Sequence, residues 1–189
     1  MVMVSPTTRY TVDQVLAMPE DGRRRELLGG ELFVTPAPAL PHQVVVGELY
    51  LILATALATA KERFRVMLSP ADISWDEETL VQPDIFVVPA SEVQGSWVEC
   101  RRLLLTVEVL SPSTSRMDRV LKREIYLRNG VDEYWIVDPA ARLVEVWRQQ
   151  DTRPAIYDAE LIWSPAVDVA PLTINLDAVF ANLPAKQER

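Results

Sequence analysis

Short apolar runs alternate with polar breaks along the chain, and their spacing predicts its elements. Thr11 followed by Val12, Val15 and Leu16 predicts a short N-terminal helix, capped by Thr11 and stopped by Pro19. The segment Arg25 to Val34 holds Gly29 and Gly30 between two apolar stretches, the pair that supplies the positive φ angles of a two-residue hairpin turn. The proline-rich stretch from Pro36 to Pro41 reads as a rigid loop that delivers His42 to a long apolar helix over about 42–60. Three strand-like runs follow, Arg65–Trp75, Val81–Val88 and Leu103–Leu110. The last is nearly unbroken, the pattern of a central strand covered on both faces. Ser115 with Asp118 three residues on is a capping-box pattern, opening a helix that ends at Asn129 and Gly130. Tyr134–Val137 and Leu143–Trp147 read as strands, and from Asp151 the pattern gives one or two more strands, a short helix near 176–181 and a frayed tail.

No repeat, low-complexity tract or linker interrupts this order. It predicts one α/β domain of 189 residues with a mixed central sheet flanked by helices. The core is expected over about 42–147, preceded by the helix and hairpin at 10–35 and followed by an extension at 151–189. The most apolar stretch, Val44 to Ala60, is 17 residues long and contains Gly47 and Glu48. A bilayer span takes about 20 apolar residues. The stretch is therefore expected to be a buried helix, or one shared with a second subunit, and no membrane partner is expected.

Composition narrows the class further. The chain has 49% hydrophobic and 24% charged residues, which excludes collagen-like, coiled-coil and wholly disordered chains. Cys100 is its single cysteine, so no internal disulfide or multi-cysteine metal site can form; with no signal peptide evident, a cytoplasmic location is expected. A net charge of −8 argues against coating nucleic acid with the whole surface. Between Ser115 and Arg128, however, Arg116, Arg119, Lys122, Arg123 and Arg128 face only Asp118 and Glu124. Arg116, Arg119 and Arg123 are candidate phosphate-binding residues there, which Arg23–Arg25 and Arg101–Arg102 extend if the fold brings them near; a solvated helix face is the alternative.

Two carboxylates stand where a strand prefers apolar side chains: Asp84, before Ile85-Phe-Val-Val88, and Glu108, inside Leu103–Leu110. An isolated charge in such a place costs several kcal/mol unless it is paired, protonated or bound to a cation. Acids on neighbouring strands can share a hard divalent ion such as Mg²⁺. Asp118, Lys122 and Tyr126 recur every four residues and so share one helix face, from which the lysine could reach both acids. Each has a plainer alternative: Asp84 as a strand-end acceptor of backbone hydrogen bonds, Glu108 and Lys122 as a structural ion pair, Asp118 as a cap partner, Tyr126 as a core aromatic, and His42 as a helix-start residue. Ser111, Ser113 and Thr114 have no histidine base nearby in sequence, which argues against a serine hydrolase.

Pro83-Asp84, followed 24 residues later by Glu108-Val-Leu110, resembles the PD-(D/E)XK signature of the restriction-endonuclease-like superfamily. Within it the chain is similar to the Uma-two type. The likeness is carried by Arg25-Glu-Leu-Leu-Gly-Gly-Glu31, His42, Gln82-Pro-Asp84, Glu108 to Thr114, Asp118 with Lys122 and Tyr126, and Gly130 to Pro139. It implies a core of helix, three strands, helix and strand. It implies a Mg²⁺- or Mn²⁺-dependent endonuclease acting on nucleic acid, DNA above all, with Asp84 and Glu108 as metal ligands. Leu110 stands where the signature ordinarily has lysine, and Lys122 looks like the migrated equivalent, which makes Asp84, Glu108 and Lys122 the candidate catalytic set. Glu26, His42, Tyr126 and Asp118 are possible supporting residues. A homodimer or higher homo-oligomer is expected from the apolar helix and exposed hairpin edges. The Leu110 departure and the acidic total favour the alternative, a retired nuclease fold serving as a nucleic-acid-binding or assembly module.

Overall fold

A computed structural model describes residues 8–112 and 114–183. The N-terminal helix α1 (Val12–Leu16) begins at Thr11, whose side chain and that of Gln14 cap each other's backbone. Strands β1 (Arg24–Leu28) and β2 (Glu31–Thr35) form the expected hairpin, with Gly29 and Gly30 at φ 59° and 81°. Helix α2 (Leu40–Ala56) starts two residues before His42, because Pro41 fits the first helical turn, where its missing N–H costs nothing.

Two of the predicted strands are corrected by the structure. The run Arg65–Trp75 divides into β3 (Phe64–Leu68) and β4 (Ile73–Asp76), and the run Val81–Val88 into β5 (Thr79–Val81) and β6 (Ile85–Pro89). The physical reason is punctuation inside each run: Pro70 and Pro83 lack a ladder donor, so the chain leaves one sheet there and enters another. A four-stranded sheet in the order β2-β1-β5-β4 results, separate from the main one.

The main sheet has six strands in the order β10-β9-β8-β7-β6-β3, using β7 (Leu105–Val109), β8 (Glu133–Asp138), β9 (Leu143–Trp147) and β10 (Ala155–Tyr157). It is mixed: β7 and β8 run parallel, Glu108 opposite Ile136, and the other neighbours are antiparallel. The crossover between β7 and β8 carries a π-helical stretch, Met117–Lys122, that continues into α3 (Arg123–Arg128). The capping box expected from Ser115 and Asp118 does not form. Ser115 already lies inside the helix, its Oγ accepting from Arg119, while the Asp118 side chain turns inward toward Lys122 and Thr114. A buried ammonium attracts a carboxylate more strongly than a first-turn backbone amide does. The C-terminal part adds the hairpin β11 (Glu160–Trp163) and β12 (Leu172–Asn175) and a short helix α4 (Leu176–Val179), so it contributes three strands rather than one or two.

Side-chain alternation divides the main sheet into two faces. Leu105, Val107, Val109, Trp135, Val137 and Val144 join one cluster with Val45, Leu49 and Leu53 of α2 and Val179 and Phe180 of the C-terminal part. Phe86, Val88, Tyr134, Ile136 and Tyr126 build the cluster on the other face. Glu26, Asp84, Glu108, Asp118 and Lys122 are buried as well. No helix among the described residues is long and apolar enough to cross a membrane.

Candidate active site

Four segments distant in the sequence bring their charged side chains to the floor of one cleft of about 230 Å³. Its lining includes Arg24 and Glu26 of β1, Asp84 before β6, Glu108 of β7, and Asp118 with Lys122 of the π-helical stretch. His42 of α2 also lines it, and Pro36, Pro38 and Pro112 stiffen the rim.

Lys122 is the hub. Its Nζ lies 2.8 Å from Glu26 Oε1, 2.9 Å from Glu108 Oε1 and 3.5 Å from Asp118 Oδ1. Tyr126 donates its hydroxyl to the same Glu108 oxygen at 2.7 Å, and Tyr134 donates to the Asp118 carbonyl at 3.0 Å. Asp84 is held separately. Its Oδ2 accepts from the Val109 amide at 2.9 Å and faces His42 Nε2 at 3.0 Å, an arrangement that assigns the imidazole proton to Nε2. Its Oδ1 accepts from Arg24 Nη1 at 2.8 Å. The amide of Gln82 donates to Glu26 Oε1 at 2.9 Å, so the residue that follows β5 fixes that acid in turn.

Three carboxylate oxygens are left over, and all face the Arg24 guanidinium. Asp84 Oδ1 is 2.8 Å away, Glu108 Oε2 is 3.6 Å from the nearest guanidinium nitrogen, and Glu26 Oε2 is 3.6 Å from Nε. The two longer distances are ion pairs without hydrogen bonds. Glu26 Oε2, Arg24 Nε and Asp118 Oδ1 are all buried and unbonded.

The electrostatics follow from this crowding. Burial alone would raise the Asp84 carboxyl, but the hydrogen bond from His42 and the charge of Arg24 hold it well below the usual range. Burial would strip Lys122 of its proton, yet the charges of Glu108, Glu26 and Asp118 outweigh that and push it above its usual range. Glu108 is pushed well up by its burial, against the pull of Lys122 and with the help of the Asp84 and Asp118 charges. Burial likewise raises Asp118. Four carboxylates thus face two fixed cations, Lys122 and Arg24, and the excess negative charge calls for protons or for a further cation.

Asp84, Glu108, Lys122, Glu26, His42, Asp118 and Tyr126, singled out from sequence, all meet here. The candidate phosphate-binding arginines of the helix do not. Arg116 is exposed, Arg119 pairs with Asp138 and Glu145 at 2.9 and 2.8 Å, and the Arg123 guanidinium lies 4.4 Å from the centre of the Trp147 ring. Arg25 is paired with Asp21, and Arg102 with Asp132. Sequence reasoning missed Arg24 as a site residue. Period-two alternation in the hairpin strand was the available signal, since it places residue 24 on the same face as Glu26.

The family model described as "Putative restriction endonuclease", Uma2, matches residues 12–177. The chain belongs to the Uma2 family. Among solved structures, the Uma2 chain described here is similar to a putative nuclease of the DUF820 group from Anabaena variabilis. The two share 21% identity with a TM-score of 0.76, over 90% of this chain and 97% of the other, a likeness that shows the fold. No curated protein matches this chain. Restriction-endonuclease-like families generally use divalent metal ions, and the donor chemistry here fits one: hard carboxylate oxygens, two of them, Glu26 Oε2 and Asp118 Oδ1, buried and unbonded, in a cluster short of positive charge. Among the described residues no three His, Cys, Asp or Glu side chains form a ready-made metal cage. The Arg24 guanidinium instead contacts Asp84 Oδ1, Glu108 Oε2 and Glu26 Oε2, the first through a hydrogen bond.

Proposed function

We propose that this protein is a divalent-metal-dependent endonuclease that hydrolyses phosphodiester bonds of nucleic acid, with DNA as its polymer. The observation that supports this is the meeting of Glu26, Asp84, Glu108 and Lys122, from four segments, at the floor of one cleft in a chain of the Uma2 family. Asp84 and Glu108 would hold the ion, with Glu26 Oε2 facing the same space. When bound, Mg²⁺ or Mn²⁺ supplies an activated water and neutralises charge on the scissile phosphate.

The protein's own residues prepare that chemistry. His42 and the Val109 amide fix one oxygen of Asp84 and leave the other turned to the cleft. Lys122 and Tyr126 fix Glu108 in the same way. Because its neighbours hold Lys122 protonated, it acts as a fixed positive charge that positions the acids, and does not take a proton from water. A groove of about 800 Å³ shares Arg24, His42 and Asp84 with the cleft, giving a polymer strand a path past the acids.

The test is cleavage of supercoiled DNA, single-stranded DNA and RNA in Mg²⁺ or Mn²⁺, with a chelator control. Wild type is expected to cut at least one of the two DNA substrates, and Glu108→Gln and Asp84→Asn to lose about 10²-fold or more. Equal rates in the variants, or no cleavage of any polymer, would overturn the reading. The second reading, a retired nuclease fold that binds without cutting, is favoured by one observation: Lys122 is 1% exposed and engaged entirely by the protein's own acids. Binding of a polymer that is never cut would select it.

A further inference from the structure

The Arg24 guanidinium stands in an unusual position. Each of its three acidic neighbours is anchored elsewhere through one oxygen, and offers it only the other: Asp84 Oδ1, Glu108 Oε2 and Glu26 Oε2. A structural arginine in a buried cluster would be expected to use its fork in paired, close hydrogen bonds. Here only the Asp84 contact and one to the Gln82 carbonyl are hydrogen bonds, and Nε has none. The arginine is also the most exposed member of the cluster. Its side chain is 21% exposed, against 1% for Glu26 and Lys122 and 4% for Asp84. Beside it lies the larger groove, of which Arg24 is already a lining residue.

We propose that Arg24 is a resident counter-ion holding the position that a divalent cation takes, so that the two are mutually exclusive and the ion enters only as Arg24 withdraws into the groove. This rests on the metal-dependent reading above. Without a cation the guanidinium keeps three converging carboxylates from repelling one another, and the site stays folded. Exchanging a single positive charge for a double one then brings the cluster of Glu26, Asp84, Glu108 and Asp118 closer to neutrality. The apparent affinity for the ion is lowered by the work of displacing Arg24, as for any ligand that must first shift a conformational equilibrium.

Calorimetric titration of Mn²⁺ into wild type and into Arg24→Met tests this without any nuclease assay. The folded variant is expected to bind Mn²⁺ at least about tenfold more tightly, a difference of about 1.4 kcal/mol. Its melting temperature, lower than that of wild type in chelator, is expected to rise further on adding Mn²⁺. A second measurement uses the wild-type chain and needs no variant. The Arg24 Nε–H resonance in a ¹⁵N spectrum is expected to move and exchange faster with solvent as Mg²⁺ saturates the site. Mn²⁺ binding that is equal or weaker in Arg24→Met, or an Arg24 resonance unmoved by saturating Mg²⁺, would overturn the proposal and leave the metal reading intact. Absence of metal binding in both proteins would overturn both. Competition without cleavage of any polymer would support the proposal while removing the nuclease activity.

Discussion

Leu105, Val107 and Val109 turn one side of β7 into the apolar cluster beneath α2, whereas Glu108, between them in the chain, faces the carboxylates, Lys122 and Tyr126 on the other. Both regions are equally dry, yet they are held together by different physics. The α2 side gains from every apolar area removed from water, about 25 cal/mol per Å², and no single contact decides it. On the Glu108 side burial is a cost for each member, offset only while every partner is in place. The apolar side tolerates change in proportion to volume. The charged side answers to the loss of one atom, and that sensitivity lets a protein orient reacting groups.

Four substitutions break or sharpen this contrast. Lys122→Met has the largest expected effect: it leaves Glu26, Glu108 and Asp118 facing one another and is expected to cost about 3–5 kcal/mol in urea unfolding. Adding Glu108→Gln to it should recover part of that loss, and additive costs would show that the two residues act independently. On the apolar side, Leu53→Ala is expected to cost about 3 kcal/mol by creating a cavity. Metal affinity per folded molecule should not change, and a loss of affinity there would mean that the two faces are coupled. His42→Ala removes one hydrogen bond from the buried Asp84 and is expected to cost about 1–3 kcal/mol. It should also weaken Mn²⁺ binding, which separates it from Leu53→Ala.

The smallest effect concerns Cys100, a buried thiol on the second face. Burial, followed by the charge of Glu92 and a hydrogen bond to it, pushes the thiol up to about 11 from its ordinary 9.0. The native state holds this proton more tightly than the unfolded chain does. Its contribution to stability is therefore intact below pH 9 and declines as pH rises from 9 toward 11. Cys100→Ala should flatten that decline slightly, and iodoacetamide should label the native thiol slowly at pH 8.

Much of this was legible in the sequence because acids at strand positions are conspicuous. Asp84 and Glu108 stood out against the apolar runs around them, and the four-residue spacing of Asp118, Lys122 and Tyr126 placed all three on one side of the following helix. The hairpin at Gly29-Gly30 was equally plain, since only its turn geometry had to be read. The β3–β4 and β5–β6 divisions were harder, because apolar residues continue on both sides of the break while the chain changes sheets. Asp118 was misread as a cap for a related reason. Local spacing shows which backbone amide a carboxylate can reach, but not the ammonium that the fold brings inside. Arg24 was read only as one of three arginines that could extend a phosphate-binding surface, because residues 23–25 look alike in sequence. Strand alternation separates Arg24, on the face of Glu26, from its neighbours, and the fold then brings Asp84 and Glu108 to that face.

Glu108 also acts as an address label for the sheet. In the native register it lies beside Ile136 of β8, with its carboxylate toward Lys122. Sliding β7 by one residue past its neighbours would turn every side chain over, placing this charge among the leucines and valines under α2. The acid therefore penalises odd slips of register: an alignment that turns it into hydrocarbon also dismantles the cleft.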